Sequence, residues 1–286
     1  MSRLGINKTY KLYIGGKFPR TESGRYYSIN NKNGNLIANM CLASRKDFRN
    51  AVLAARKAQG SWSDTSALNK GQILYRIAEM LEGRKAQFIT ELIEQGETKD
   101  NARTEVELAI DRLVYYAGWS DKYQQLFSAV NPVSGTYFNF SNVEPVGVAA
   151  IIAPESPGLL GLISVIAPAI VGGNTAIVLA SESRPMTSIS FAEVLNSSDV
   201  PAGVINILTG SKEELLGQMA SHMDVNAIVY CGKENDDIKS ISELASNNLK
   251  RTIFYKKKDW TNEQCQSPYF IEKTLEVKTT WHPTSV

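Results

Sequence analysis

The chain has 286 residues, of which 43% are hydrophobic and 21% charged, and its formal net charge is +2. This composition is ordinary for one large or two medium globular domains, and the charge gives no reason to expect nucleic acid or an anionic membrane as a partner. No apolar run approaches the roughly 20 residues of a membrane-spanning helix, and residues 1–10 lack the apolar core of a secretory signal. The sequence therefore predicts a cytoplasmic protein with no membrane or nucleic-acid partner.

Cysteines and histidines are too few for several kinds of site. The three cysteines, Cys41, Cys231 and Cys265, are widely separated, which excludes a disulfide framework and a cysteine-ligated zinc site. Only two histidines are present, so a histidine-rich metal centre is excluded as well. We predict no metal site.

The first 128 residues combine short strands with amphipathic helices. Residues 11–14 and 26–29 are typical of strands, and Asn33-Gly34 predicts a tight turn before a further strand. Ser44 is a suitable cap for the first helix. Apolar residues at helical spacing predict helices over 45–61, 69–81, 85–95 and 103–128.

The stretch 144–210 carries the clearest pattern. Two apolar runs, one ending near Pro154 and the other over 176–180, are typical of strands buried on both faces, and a third strand follows at 204–208. Residues 158–171 are apolar on every side and predict a buried crossover helix. The result is a βαβαβ unit, which predicts an α/β fold with a Rossmann-like parallel sheet and helices on both faces. Such sheets bind ligands at the carboxyl ends of their strands.

The remaining elements complete this sheet and add two outlying strands. Residues 135–141 and 275–281 alternate like strands near the surface. Between them, the sequence predicts helices over 212–221 and 236–246, strands over 226–230 and 251–255, and a loop over 261–267.

Several of these segments resemble the aldehyde dehydrogenase superfamily. The run from Pro201 to Gly210 fits the family's Pro-x-Gly-Val-x-Asn-x-x-x-Gly signature, and Glu144-Pro145-Val146-Gly147-Val148 and Gly173-Asn174-Thr175 also resemble it. The resemblance covers nearly all of the chain. It implies a cofactor domain over 1–128 and 142–260, and a small antiparallel oligomerisation sheet from strands in 129–141 and 268–286.

The catalytic parts of that family are missing from the sequence. Glu155-Ser156 stands where the family has Trp-Asn, whose amide holds the oxyanion, and Tyr255 stands at the general-base glutamate. Only about fifteen residues separate Asp259 from the last strand, so the domain that carries the nucleophilic cysteine is predicted to be absent. We therefore assign no catalytic residue. The chain is similar to the non-catalytic second module of long family members.

The resemblance also implies a site for NAD or NADP, although its residues are partly changed. The family's ribose-binding Lys-x-x-Glu is here Leu179 to Glu182, so the ammonium is lost and the carboxylate is kept. Glu234, Asp236 and Asp237 lie where the pyrophosphate would meet a helix N-terminus and would compete with it. The candidate cofactor-binding residues are Glu182, Ser181, Gly210 and Gly232. Without a ligand, Glu182 is expected to be an N-terminal acid of the next helix, after a capping Ser181.

Three functions remain open on the sequence. The favoured hypothesis is a catalytically degenerate homologue acting as a structural or regulatory subunit, in a homodimer or in a hetero-oligomer with an active aldehyde dehydrogenase. In the resembled family the outlying strands reach across a subunit interface, and unpaired strand edges favour such docking. The alternatives are a dinucleotide sensor and an NAD(P)-binding oxidoreductase acting on aldehydes that is active only with a partner subunit.

Overall fold

The computed structural model describes residues 8–284, which form helices and strands. The strands are β1 (Lys8–Tyr10), β2 (Tyr26–Asn30), β3 (Leu36–Cys41), β4 (Ala129–Asn131), β5 (Tyr137–Pro145), β6 (Val148–Ile152), β7 (Thr175–Leu179), β8 (Ile205–Leu208), β9 (Ala227–Tyr230), β10 (Arg251–Phe254) and β11 (Leu275–Pro283). The helices are α1 (Arg45–Ser63), α2 (Ala67–Gly83), α3 (Lys85–Glu94), α4 (Lys99–Trp119), α5 (Tyr123–Phe127), α6 (Gly158–Val171), α7 (Met186–Asn196), α8 (Lys212–Ser221), α9 (Asn235–Ala245) and α10 (Tyr269–Glu272).

The central sheet has five parallel strands in the order β10-β9-β6-β7-β8. Every residue of β6, β7, β8 and β9 is buried, as expected for strands covered on both faces. From β6 the chain winds outward to β7 and β8, then crosses back to β9 and β10 on the other side. This reversal opens a crevice between the carboxyl ends of β6 and β9. The predicted α/β fold is confirmed.

Helices cover the central sheet on both faces. On one face, a hydrophobic cluster joins α6 and α7 to the sheet, and α2, α3 and α4 belong to the same cluster. On the opposite face, a second cluster joins α1, α8 and α9 to the sheet. All fourteen residues of α6 are buried, because the helix lies between the sheet and α4. Its N-terminus is capped from outside by the Glu105 carboxylate, which accepts from the backbone N–H of Leu159 at 2.7 Å.

Two smaller sheets flank this core. The first has the order β1-β3-β2 and is linked to α7 by the ion pair of Lys8 with Glu193 at 3.0 Å. The second, which we call the outer sheet, is antiparallel with the order β11-β5-β4. In the outer sheet, β11 pairs with β5 along its whole length, from Leu275 opposite Pro145 to Pro283 opposite Tyr137.

The segment between β10 and β11 stands where the resembled family would continue into another domain. We call residues 256–274 the strap. Its buried side chains, among them Trp260, Cys265 and Phe270, pack back onto the core. The buried Arg112 on α4 donates to the carbonyls of Cys265 at 2.7 Å and Trp260 at 3.1 Å, and to the Ser164 hydroxyl at 2.6 Å. The chain therefore crosses this region as an anchored segment.

Two predicted elements are wrong. No continuous strand forms over 11–14, and β1 lies at Lys8–Tyr10 instead. The backbone of Tyr13 pairs with Ile207 next to the central sheet, and that of Ile14 pairs with Lys17 across a turn. The single helix expected over 103–128 is two helices. α4 begins at Lys99, four residues earlier than predicted, since the Thr98 hydroxyl accepts from the Asn101 N–H.

Some predictions about segments stay open. The predicted domain boundary at residue 142 falls inside β5, which runs from Tyr137 to Pro145, and the division into domains stays a prediction. Residues 1–7 and 285–286 lie outside the described residues, so most of the segment considered for a secretory signal does too. Among residues 8–284, none of the helices has the length and apolar character that crossing a membrane requires.

Candidate functional site

The candidate site is a cavity of about 330 Å³ at the crevice between β6 and β9. Its walls come from the segments that follow these two strands, from the start of α8 and from the first part of the strap. This is the edge at which parallel sheets place their ligands. Its lining includes Glu155, Glu234, Tyr255, Trp260 and Lys258.

Glu155 turns its carboxylate toward the segment after β7. The carboxylate accepts from the hydroxyls of Ser181 at 3.0 Å and Ser183 at 2.9 Å. It also accepts from the backbone N–H groups of Glu182 and Ser183, both at 3.2 Å. Four donors thus face one carboxylate, which occupies a concave arrangement of N–H groups of the kind that binds anions. The residue that replaces the family's tryptophan is therefore an internal ligand of the crevice wall.

Ser181 and Glu182 have other partners than expected. The Ser181 hydroxyl donates to Glu155 and accepts from the Arg184 N–H at 3.0 Å, so it closes a turn. α7 begins only at Met186 and has no side-chain cap, which makes the expected cap at Ser181 wrong. Glu182 instead accepts a short hydrogen bond from the backbone N–H of Lys212, the first residue of α8. Its carboxylate stabilises the N-terminus of α8, where a negative charge is favourable.

At Gly210 and Gly232, other atoms of the chain lie where a Cβ atom would press against them. A Cβ atom at Gly210 would lie 3.0 Å from the backbone nitrogen of Ala43, and one at Gly232 would overlap the Tyr230 hydroxyl. Gly210 shares a second, smaller cavity with Glu182 and Tyr27. Of the four predicted cofactor residues, Gly232 thus lines the first cavity and Glu182 and Gly210 the second, while Ser181 lines neither. Their binding of a cofactor stays a prediction.

Acidic residues lie directly before α9 and in its first turn. Glu234 and Asp237 lie 2.6 Å and 2.5 Å from the Tyr230 hydroxyl, and Asp237 also pairs with the Lys212 ammonium at 2.8 Å. The hydrogen bond from Tyr230 lowers the pKa of Glu234 below its usual range, so this carboxylate is ionised at neutral pH. Two negative charges therefore stand where a pyrophosphate would approach the helix.

The residues of this edge fit a dinucleotide poorly. Leu179, in place of the family's lysine, is 1% exposed and packs in the core. The Glu182 carboxylate caps α8, and the α9 N-terminus carries acids. Of the two charged groups by which the resembled family holds the ribose, only the carboxylate remains, and it has a structural partner.

The three cysteines lack the features of an activated nucleophile. Cys41 and Cys265 are buried and Cys231 is half-buried. Burial raises the pKa of the Cys231 and Cys265 thiols, whereas a nucleophilic cysteine needs a lowered pKa. At the predicted general-base position, the Tyr255 ring packs against Trp260 and Phe270 with centroids 5.8 Å and 5.0 Å away. Among the described residues there is also no cluster of His, Cys, Asp and Glu placed to hold a metal ion.

The comparisons with known proteins agree with this architecture. The profile of the aldehyde dehydrogenase family matches residues 18–255. The chain belongs to the aldehyde dehydrogenase family. The DhaS protein of Bacillus subtilis (strain 168) is 34% identical over 256 residues, which make up 86% of this chain and 50% of DhaS. The cytosolic 10-formyltetrahydrofolate dehydrogenase of Mus musculus is 31% identical over 257 residues, 88% of this chain but 28% of that protein.

Solved structures of aldehyde dehydrogenases share the fold. PnpE from Pseudomonas sp. WBC-3, in complex with nicotinamide adenine dinucleotide, superposes with a TM-score of 0.82 at 27% identity, covering 86% of this chain and 50% of PnpE. An aldehyde dehydrogenase from Bacillus cereus gives the same TM-score at 23% identity. This chain thus spans about half the length of these family members. The predicted family membership is confirmed.

The contacts of two residues of this region were not predicted from the sequence. For Glu155 the sequence holds a weak signal, because the Ser-x-Ser spacing of Ser181 and Ser183 places two hydroxyls and their N–H groups in one turn. Arg112 had none, because its acceptors lie 52 to 153 residues away along the chain.

Proposed function

We propose that this family member does not catalyse aldehyde oxidation by itself and serves as a structural or regulatory subunit. Its partner is a second copy of the chain or an active, full-length aldehyde dehydrogenase. This role requires a surface that docks onto another chain and a core that folds without the missing domain.

The outer sheet is the observation that carries this proposal. Seven of the nine residues of β11 are exposed, and the strand pairs only with β5 among the described residues. Its apolar side chains face solvent, with Val277 65% and Trp281 58% exposed, and Val130 on β4 67% exposed. Exposed apolar strands with an open edge favour pairing with another chain.

The state of the candidate site supports the same proposal. Tyr255 occupies the general-base position inside an aromatic cluster, and Glu155 occupies the crevice wall in place of the family's tryptophan. The strap is anchored by Arg112, so the fold closes without the missing domain. Conservation of the scaffold together with loss of the reacting groups favours a role in assembly.

A change on the outer sheet tests the subunit proposal. The double variant Val277→Glu/Trp281→Glu should weaken association by roughly thirtyfold, since a central aromatic residue contributes about 2 kcal/mol to such interfaces. Sedimentation velocity over a dilution series measures this effect, with the chain alone and mixed with a full-length aldehyde dehydrogenase from the same genome. Leu68→Glu is the matched control, because Leu68 is 69% exposed on α2, away from the outer sheet.

Two results would count against the subunit proposal. A wild-type chain that stays monomeric at all concentrations, and does not associate with the full-length enzyme, has no assembly role. Equal weakening by Leu68→Glu would show that added negative charge, rather than the outer sheet, causes the effect.

Dinucleotide binding is the second candidate function. It is favoured by the PnpE complex with nicotinamide adenine dinucleotide and by the retained Glu182 carboxylate. Because the carboxylate caps α8 and Leu179 is buried, we expect neither NAD nor NADP at millimolar concentration to raise the thermal midpoint. A ligand at about a hundredfold its Kd would add roughly 2.7 kcal/mol of stability. A clear upward shift, abolished by Glu182→Gln, would establish the sensor instead.

A further inference from the structure

We propose that the cavity between β6 and β9 binds a compact organic anion, either a carboxylate or a phosphate monoester, that carries a small apolar group. This inference goes beyond the subunit function and does not depend on it. It rests on four properties of the cavity: its wall, its charge, its backbone and its size.

The cavity wall is built partly by the strap. Lys257, Lys258 and Trp260 of the strap line the cavity together with Tyr255 at the end of β10. The rings of Tyr255 and Trp260 meet edge to face with centroids 5.8 Å apart, and they give the wall an apolar part. Because the strap takes the place of a domain in other family members, this wall is particular to the shortened chain.

The acids of the cavity already have donors. Glu155 accepts from two hydroxyls and two backbone N–H groups in the turn at 181–183. Glu234 accepts from the backbone N–H of Lys233 at 3.0 Å and shares the single proton of the Tyr230 hydroxyl, 2.6 Å away, with Asp237. Both carboxylates are held by neutral donors and keep their negative charge, but the lining also carries four lysines, Lys212, Lys233, Lys257 and Lys258.

Three of the four lysines that line the cavity have no such partners. Lys212 pairs with Asp237, but within residues 8–284 the ammonium groups of Lys233, Lys257 and Lys258 form no ion pair or side-chain hydrogen bond. Three unpaired cations around one cavity produce a positive potential that attracts an anion. Lysine binds phosphate and carboxylate oxygens as a point charge.

The backbone at Lys257 is unusual. Its φ of 49° lies in the left-handed region, which a residue with a Cβ atom adopts at a cost. Lys257 thus lines the cavity from a backbone conformation that favours glycine. Left-handed residues that persist at a cost are concentrated at ligand sites.

The size of the cavity limits the ligand. A volume of about 330 Å³ lies near the lower end of the range of roughly 300–1,000 Å³ for small-molecule pockets. The cavity therefore suits a compact molecule whose anionic group meets the lysines and whose apolar part meets Trp260 and Tyr255.

Titration calorimetry on the full chain tests the proposal with phenyl phosphate, benzoate and the neutral benzyl alcohol as probes. We expect saturable binding of at least one anion and none of benzyl alcohol, and the anion that binds more tightly identifies the class. The double variant Lys257→Gln/Lys258→Gln should weaken that binding at least tenfold. Lys256→Gln is the matched control, since Lys256 belongs to the same lysine run, does not line the cavity and lies 3.5 Å from Asn235.

Nuclear magnetic resonance locates the bound probe independently. The indole N–H signal of Trp260, assigned with Trp260→Phe, should shift on addition of the anion and follow the same saturation curve. The proposal is overturned if neither anion binds at millimolar concentration, if Lys256→Gln weakens binding as much as the double variant, or if the Trp260 signal does not move. The association state measured for the outer sheet is a separate readout, so failure here leaves the subunit proposal unaffected.

Discussion

The strap and β11 follow one another in the chain and differ in almost every physical respect. The strap is anchored to the core by Trp260, Cys265 and Phe270, and its carbonyls accept from Arg112. β11 begins one residue later and is exposed over most of its length. The two meet at Thr274, whose carbonyl accepts from the Asn174 amide at 3.0 Å and from the Val146 N–H at 3.2 Å.

This difference shows how a shortened family member divides its surface. Where a domain is missing, the strap supplies side chains that cover the core and backbone groups that satisfy a buried cation. Where the family uses a sheet for contacts between subunits, the apolar residues stay exposed. The exposure of Trp281 and Val277 is what the proposed docking of the outer sheet onto another chain requires.

The largest effect is expected at the anchor of the strap. Arg112→Met removes the donors of the Trp260 and Cys265 carbonyls and of the Ser164 hydroxyl. Leaving these buried acceptors without partners should lower the free energy of unfolding by about 3 kcal/mol. Urea denaturation measures the change.

Arg103→Met is the control for the strap anchor. The Arg103 side chain is 68% exposed and pairs with Glu107 on the surface of α4, so its loss should cost less than about 0.5 kcal/mol. Equal losses for the two variants would show that Arg112 does not hold the strap.

Lys250 is a second buried cation, and its contribution to stability, unlike that of Arg112, depends on pH. Lys250 is 7% exposed, donates only to the His222 carbonyl at 2.7 Å, and burial lowers its pKa to about 8. The unfolded chain, with a lysine pKa near 10.4, binds more protons between these values, so stability should rise with pH from about 8 to 10, by about 2 kcal/mol. Arg112 stays charged over this range and contributes no such slope.

Urea denaturation at both pH values measures the contribution of Lys250. In Lys250→Met the rise should be smaller than in the wild type by that amount. The exposed Lys239→Met, whose side chain is 77% accessible, should keep the full rise. An unchanged slope in Lys250→Met would contradict the lowered pKa.

The smallest effect is expected at an exposed residue outside both regions. Leu249 has φ 54° and is 97% exposed, so its Cβ atom adds backbone strain. Leu249→Gly should raise the free energy of unfolding by roughly 0.5 kcal/mol, because glycine adopts this conformation freely but loses more entropy on folding. Leu249→Ala keeps the Cβ atom and should give no gain. Association should be unchanged in both, in contrast to the outer-sheet variant, and a loss of association would place Leu249 in the interface.

Much of the fold could be predicted from local sequence patterns. The helix predicted over 158–171 is α6 to the residue, because fourteen successive apolar or small residues between a proline and two glycines permit little else. The resemblance implied one antiparallel sheet from strands in 129–141 and 268–286, but its register, with Lys278 opposite Asn142, needed the structure. Alternation predicts a strand and does not identify its neighbour.

The candidate site was less predictable, because its side chains bind backbone groups of distant turns. Glu182 was expected near a ribose or at the start of α7, and it caps α8, thirty residues further along. Glu155 was identified only as the residue in place of the family's tryptophan, and it is held by the turn at 181–183. Backbone N–H groups occur at nearly every residue, so the sequence does not mark which of them a carboxylate will meet.

The sequence by itself determined the buried parallel strands, the helices between them and the resemblance to the family. Hydrophobic periodicity is local, and the residue types at aligned motifs can be compared without coordinates. Only the tertiary structure decided that Arg112 anchors the strap, that the acids of the crevice have donors and that three lysines around it have none. Burial and pairing depend on which distant segments meet, and no local pattern records that.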